Sequence, residues 1–167
     1  MTSVATLLAE NPHFPRLDVT GAESLLARAV RIDFKRGQTL LEEGRSGNSM
    51  IVLEKGSVEV RRGGKELAAL GPGSTFGEMA LLDPAPRSAT VLAASDGVAW
   101  ELGRDALWDM LAQGEPAAVR ALQGLTATVC ARLEAVNRLV QDEVVRPRGN
   151  VFSRLWKTVS GGLAGKR

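Results

Sequence analysis

Phe76-Gly77-Glu78-Met79-Ala80-Leu81-Leu82-Asp83-Pro84-Ala85-Pro86-Arg87-Ser88-Ala89-Thr90-Val91 is the stretch on which the reading of this chain turns. Glycine at 77 lets the backbone come close to a ligand. The residues after it can form one helical turn with free N–H groups facing outward, and Arg87 supplies a fixed cation nearby. Together these features make an anion pocket. A guanidinium can hold two oxygens of one phosphate while the exposed amides of the turn hold the others. Glu78 does not suit a pure phosphate site, because its carboxylate repels the anion. It does suit a sugar hydroxyl a few ångströms away, in the way an acidic residue accepts from a ribose 2′-OH in dinucleotide sites. A ligand with a phosphate and a free 2′-hydroxyl close together is a ribonucleotide.

Outward from that stretch, residues 30–102 hold short β-forming runs at 30–34, 49–53, 57–61, 66–70, 89–93 and 98–102. Glycines at 37, 44, 47, 56, 63, 64, 71, 73 and 77 punctuate them, and Gly63-Gly64 between two runs reads as a hairpin turn. This pattern predicts a small antiparallel barrel or sandwich. Before it, residues 3–29 carry helical apolar spacing in Leu7, Leu8, Leu25, Leu26 and Ala29, broken by Pro12 and Pro15, which predicts two short helices. After residue 103 glycine becomes scarce, and Pro116 stands where a first helical turn accepts it. A long helix is expected over about 115–144, with Leu122, Leu125, Val129, Leu133, Val136, Val140 and Val144 on one stripe. Its mean step of about 3.7 residues is close to the ordinary helical period. The stripe suits packing on the chain's own barrel, and part of it suits a twin helix in a homodimer.

The 167 residues, 44% hydrophobic and 24% charged, make one domain with a short appendage. No apolar run approaches the roughly 18 residues of a membrane span. The first basic residue is Arg16, and Glu10 interrupts the early apolar stretch, so no secretory signal is read and a cytoplasmic protein is expected. One cysteine, Cys130, and one histidine, His13, are too few for zinc sites built from these residues, and no metal is expected. A nucleophile triad would rest on His13 alone, and a metal-dependent enzyme of cupin type would need clustered histidines, so no enzyme is expected. His13 reads as a surface turn residue and Cys130 as a buried small hydrophobe. Trp100 and Trp108 read as core or dimer-face residues.

Gly77-Glu78-Met79-Ala80-Leu81-Leu82, followed by Pro86-Arg87-Ser88-Ala89-Thr90, resembles the phosphate-binding cassette of the cyclic nucleotide-binding domain family. This is the family of the bacterial catabolite activator, the regulatory subunits of cyclic-AMP-dependent kinase and the cyclic-nucleotide-gated channels. The likeness runs from about Phe14 to Gln141 through Phe34-Lys35-Arg36-Gly37-Gln38, Glu43-Gly44, Gly56-Ser57-Val58 and Gly71-Pro72-Gly73. It implies an α+β fold: an antiparallel β-barrel of the jelly-roll, double-stranded β-helix type, with N-terminal helices, a short cassette helix and a long C-terminal helix. By resemblance Glu78 takes the ribose 2′-OH and Arg87 the cyclic phosphate of cyclic AMP or cyclic GMP. The Gly77, Glu78, Met79 and Ala80 amides, with Ser88 and Ala89, assist. The closing helix would offer Val136 and Asn137 to the base. Ser88 accompanies either base preference, which leaves the nucleotide open, a cyclic dinucleotide included. Asn48 and Ser74 stand where many members carry Asp in their turns, and both are compatible with turns.

Residues 1–145 are thus expected to form the ligand domain and 146–167 a tail. The tail holds Arg146, Arg148, Arg154, Lys157, Lys166 and Arg167 and no acid. Taking those six from the chain's 21 basic residues leaves 15 basic against 19 acidic in the body. Val151, Phe152, Leu155, Trp156, Val159 and Leu163 recur at helical spacing beyond Pro147 and Gly149, the pattern of a short basic amphipathic helix. It could dock on the barrel, stay disordered, enter a partner's groove or meet an anionic membrane surface. Too few residues follow the long helix for the winged helix-turn-helix of the catabolite-activator branch, so no sequence-specific DNA binding by that route is expected. The expected function is that of a sensor, relaying ligand state through the closing helix and tail to a protein partner. The alternative is a scaffold of the same fold that has lost nucleotide affinity.

Overall fold

The computed structural model describes residues 2–145, with side chains described as far as residue 141. The expected tail at 146–167 lies outside the described residues. Two short helices open the chain, α1 (Val4–Ala9) and α2 (Val19–Leu26). Each begins where a short polar side chain can satisfy a free amide. Ser3 Oγ accepts from Thr6 N at 3.1 Å, and Asp18 Oδ1 from Gly21 N at 2.7 Å. The Gly21 amide holds the Asp18 carboxyl below its ordinary pKa, with help from Arg120.

Eight strands follow: β1 (Val30–Phe34), β2 (Thr39–Leu41), β3 (Ser49–Lys55), β4 (Val58–Arg62), β5 (Lys65–Leu70), β6 (Thr75–Phe76), β7 (Thr90–Ala93) and β8 (Gly97–Gly103). They form two four-stranded antiparallel sheets, ordered β1-β8-β3-β6 and β2-β7-β4-β5. The six β runs expected from sequence are all strands, and Arg62 pairs with Lys65 across Gly63-Gly64, the expected hairpin. The two short strands β2 and β6 went unread, being three and two residues long.

Two apolar cores result. Phe34, Ile51, Leu53, Val58, Leu70, Phe76, Val91, Ala93 and Ala99 come from both sheets and fill the space between them. On the opposite face of the first sheet, Met50, Val52 and Leu102 pack against Leu8, Phe14, Leu25, Leu107 and Met110 from the helical parts. This explains why β3 is buried at five successive positions instead of alternating. A strand covered on both faces has no solvent side.

Between β6 and β7 lies a four-residue helix, α3 (Met79–Leu82), and after β8 come α4 (Arg104–Ala112) and α5 (Pro116–Val145). The first compact unit ends inside α5 at Leu125, and a second starts at Thr126. In the first unit α5 packs through Ala117, Ala118, Ala121 and Leu125, so the contact face is mostly alanine and only Leu125 belongs to the expected stripe. In the second unit Leu133 and Val140 are exposed and Arg138 meets Glu134 at 3.5 Å.

Two expectations fail. His13 is buried, with its Nδ1 2.9 Å from Thr75 Oγ1, because the Pro12–Pro15 bend folds inward. Cys130 is exposed, because it stands on the same face of α5 as the exposed Thr126, Glu134 and Asn137. Trp100 is half-buried against the helical core and donates to Glu54 Oε2 at 2.6 Å. Trp108 is 41% exposed, more open than a core residue.

Candidate functional site

Arg87 sits in the loop between α3 and β7, and its main chain is fixed before its side chain is. Its amide donates to Arg45 O at 2.8 Å, its carbonyl accepts from Gly44 N at 2.9 Å, and Pro86 bridges to Ser46. The turn at 44–46 therefore clamps the arginine's backbone from both sides. Its side chain then runs back over β3 and β6. Nη1 donates to Gly77 O at 3.1 Å, and Nη2 donates to Ser49 Oγ at 3.1 Å.

Two glycines make room for the guanidinium. At Gly77, where φ is +78°, a Cβ would come 2.5 Å from Arg87 Nη1 and 3.0 Å from Ser49 O. At Gly47 a Cβ would collide with the guanidinium itself. A side chain at either position would displace the cation, and at 77 it would also strain the backbone. Burial lowers the Arg87 pKa from its ordinary value, and the carboxylates of Glu101 and then Glu78 oppose that shift. The group stays charged, since an arginine does not lose its proton in proteins.

Gly77 O accepts a second bond, from Ala80 N at 3.1 Å, and this closes the first turn of α3. Glu78 heads the turn and is buried. It acts electrostatically on the half-buried Arg87, and its carbonyl accepts from Leu81 N at 3.1 Å, which fixes its backbone at the head of the cassette helix. Of the amides expected to face a ligand, that of Ala80 is committed to Gly77 O. Those of Met79, Ser88 and Ala89 donate to no acceptor among the described residues. Ser88 is exposed, Ala89 half-buried and Met79 exposed. The structure thus brings Gly77, Glu78, Met79, Ala80, Arg87, Ser88 and Ala89 into one loop cluster. Val136 and Asn137 belong to the second unit.

Three contributors were missed in the sequence. Ser49 and Glu101 reach Arg87 only through long-range pairing: Ser49 Oγ donates to Glu101 Oε1 at 2.5 Å across 52 residues of sequence. No local pattern marks either residue. Trp108 is the third, its Nε1 donating to Leu81 O at 3.0 Å and so tying α4 to the cassette helix, with the Arg104 guanidinium 5.0 Å from its ring centre. The indole was visible in the sequence, but its partner, a backbone carbonyl, was not.

Among the described residues no cluster of three His, Cys, Asp or Glu side chains could hold a metal. No helix among them is long and apolar enough to cross a membrane.

Comparison with known proteins fits this geometry. A curated relative, the cAMP-dependent protein kinase regulatory subunit of Debaryomyces hansenii, is 37% identical over 99 residues, which are 58% of this chain and 22% of that protein. The chain therefore matches about a fifth of that relative's length. The crystal structure of the N-terminal domain of a transcriptional regulator from Streptomyces coelicolor A3(2) is similar at 32% identity and a TM-score of 0.66, covering 74% of this chain and 91% of that one. A cyclic nucleotide-binding domain from Methylobacillus flagellatus KT shares the fold at 24% identity and a TM-score of 0.69, over 88% of this chain and 83% of that one. The family model described as the cyclic nucleotide-binding domain matches residues 31–114, from β1 past the end of α4. On that match, and on the cassette built around Arg87, this chain belongs to the cyclic nucleotide-binding domain family.

Proposed function

We propose that this chain is a non-catalytic sensor of cyclic AMP or cyclic GMP. The observation that carries the reading is the Arg87 guanidinium, drawn out of solvent and fixed between Gly47 and Gly77, with donors still unused. A half-buried cation whose direct hydrogen bonds among the described residues go to one carbonyl and one hydroxyl has donors left for an anion, and a cyclic phosphate can take them. Glu78 takes the ribose 2′-OH, while the Gly77, Met79, Ser88 and Ala89 amides complete the phosphate contacts. The family resemblance offers Val136 and Asn137 to the base.

Ligand closure of the cassette is then relayed through α5 and residues 146–167 to a protein partner. The Debaryomyces hansenii relative, named as a kinase regulatory subunit, supports an output of that class. The exposed Leu133 and Val140 support a homodimer through α5, and the six basic residues of 146–167 support contact with acidic protein or an anionic membrane surface. The protein acts in the cytoplasm.

Isothermal titration with cyclic AMP, cyclic GMP and a cyclic dinucleotide tests the reading. One of the first two should bind at one site per chain, and Arg87→Ala should abolish that binding. If none of the three gives heat, the sensor reading falls and the scaffold reading stands.

A further inference from the structure

The cassette accounts for one cation and one carboxylate, but Ser49 links a second carboxylate, that of Glu101, to the same cation. Along β8, Ala99 and Glu101 share a face, and Ala99 lies in the core between the sheets. Glu101 therefore points to the inside of the barrel, two residues further along. On β3, Ser49 shares the face of Ile51 and Leu53, which belong to that same core. The pairing of β3 with β8 sets Ile51 opposite Glu101 and Ser49 opposite Gly103, which brings the serine hydroxyl beside the carboxylate.

A hydroxyl has one proton to give. Ser49 gives it to Glu101 Oε1 at 2.5 Å, so its oxygen is left to accept from Arg87 Nη2 at 3.1 Å. The carboxylate thus acts on the guanidinium through a polarised hydroxyl, and it also acts through space, ahead of Glu78. Before any ligand arrives, the site holds one positive charge and two negative ones. A ligand with one negative charge gains the contact with Arg87 and meets modest repulsion. A ligand with two is drawn more strongly to Arg87 but is also repelled twice as strongly by two carboxylates, which outnumber the single cation.

We infer that Glu101, held by Ser49, is a specificity-determining residue that makes the Arg87 site select a singly charged cyclic phosphodiester over a doubly charged phosphomonoester. The inference rests on the proposed reading that Arg87 holds the ligand's phosphate. A phosphomonoester carries about −1.5 to −2 at neutral pH, against −1 for a diester. Following the hydrogen bonds from Glu101 through Ser49 and Arg87 to a phosphate oxygen gives a separation of at most about 8 Å from the carboxylate. At an effective dielectric near 20, a further unit charge there is disfavoured by a factor of roughly tens, and solvent in an open site reduces this to about tenfold. The selection separates a cyclic nucleotide from the linear nucleotide that its hydrolysis yields, which has the same base and sugar.

The test compares three ligands by calorimetry on the full chain: the cyclic nucleotide that binds, the corresponding 5′-monophosphate, and the methyl ester of that 5′-monophosphate. The ester is acyclic like the monophosphate but singly charged like the cyclic nucleotide. The parent protein should bind the ester about tenfold more tightly than the monophosphate. Glu101→Gln keeps an acceptor for Ser49 and removes the charge, so it should bring the two acyclic ligands to within about twofold of each other. A Glu101→Gln protein that binds the cyclic nucleotide and keeps the parent's ratio overturns the inference and leaves the site reading intact. Equal binding of ester and monophosphate by the parent overturns it as well, without any variant having to fold. A parent that binds no cyclic nucleotide overturns the site reading itself, and the inference with it.

Discussion

Strand β6 is two residues long and has a polar cluster at each end, and the two clusters are built on opposite plans. At its start Thr75 meets His13, while Asn11 donates to Gly73 O at 2.7 Å and accepts from His13 N at 2.8 Å. These groups are buried, and each named contact joins protein to protein. At its end Gly77 meets Arg87, which among the described residues uses two of its five N–H donors, on Gly77 O and Ser49 Oγ. The first cluster is closed and fastens the N-terminal segment to the barrel. The second is open, and its partly desolvated cation, with donors left over, is where the proposed ligand would bind. Burial of polar groups alone does not separate structure from function, but the balance of donors used and donors left does.

The comparison breaks most visibly at Arg87. Arg87→Ala should weaken cyclic nucleotide binding by about 2 to 4 kcal/mol, a loss that calorimetry reads as absence of binding, with a melting temperature close to the parent's. Comparable affinity in the variant would mean that the open cluster is not the ligand site. The closed cluster should respond the other way. His13→Ala leaves Thr75 Oγ1 without its partner and opens space in a buried corner, which should lower stability by about 2 to 3 kcal/mol in urea unfolding. The folded variant should bind nucleotide as the parent does. A selective loss of affinity at unchanged stability would move His13 from the structural side to the functional one.

Two smaller effects sharpen the open cluster. Glu78→Gln should weaken binding of the ribonucleotide about tenfold, and the loss should shrink for the 2′-deoxy ligand. Equal losses for both ligands would detach Glu78 from the 2′-hydroxyl. Trp108→Phe removes the indole N–H that holds Leu81 O and keeps most of the ring, for a change of about 1 kcal/mol in stability or affinity. A variant matching the parent in both would show that this tether contributes nothing to the cassette.

The two clusters were unequally legible in the sequence. Gly77, Glu78 and Arg87 lie within eleven residues of one another, so their joint chemistry could be read as text. The β runs were legible for the same reason, since alternation and glycine punctuation are local. His13 was misread because its neighbours Pro12 and Pro15 signal a turn, and turns are normally exposed. Only the pairing with Thr75, 62 residues away, shows that this turn is buried. Ser49 and Glu101 were invisible for a related reason. The serine opens an apolar run and the glutamate sits in another, and nothing short of the β3–β8 register brings them together. Cys130 was misread because a small apolar residue on a helix suggests a covered position, whereas it shares its face of α5 with the exposed Thr126, Glu134 and Asn137. Periodicity names a face of a helix and says nothing about how far along that face is covered.

The central claim is that the Arg87 guanidinium, in its cradle of Gly47, Gly77 and Ser49, is the group that holds the cyclic phosphate. Side-chain NMR of the arginine Nε–H groups during titration with cyclic AMP or cyclic GMP tests it most directly, with the Arg87 signal assigned by its loss in Arg87→Lys. The account predicts that this signal shifts furthest among the arginines and saturates at the same ligand concentration as the heat of binding. Saturation of the protein by cyclic nucleotide with the Arg87 signal unmoved would contradict it.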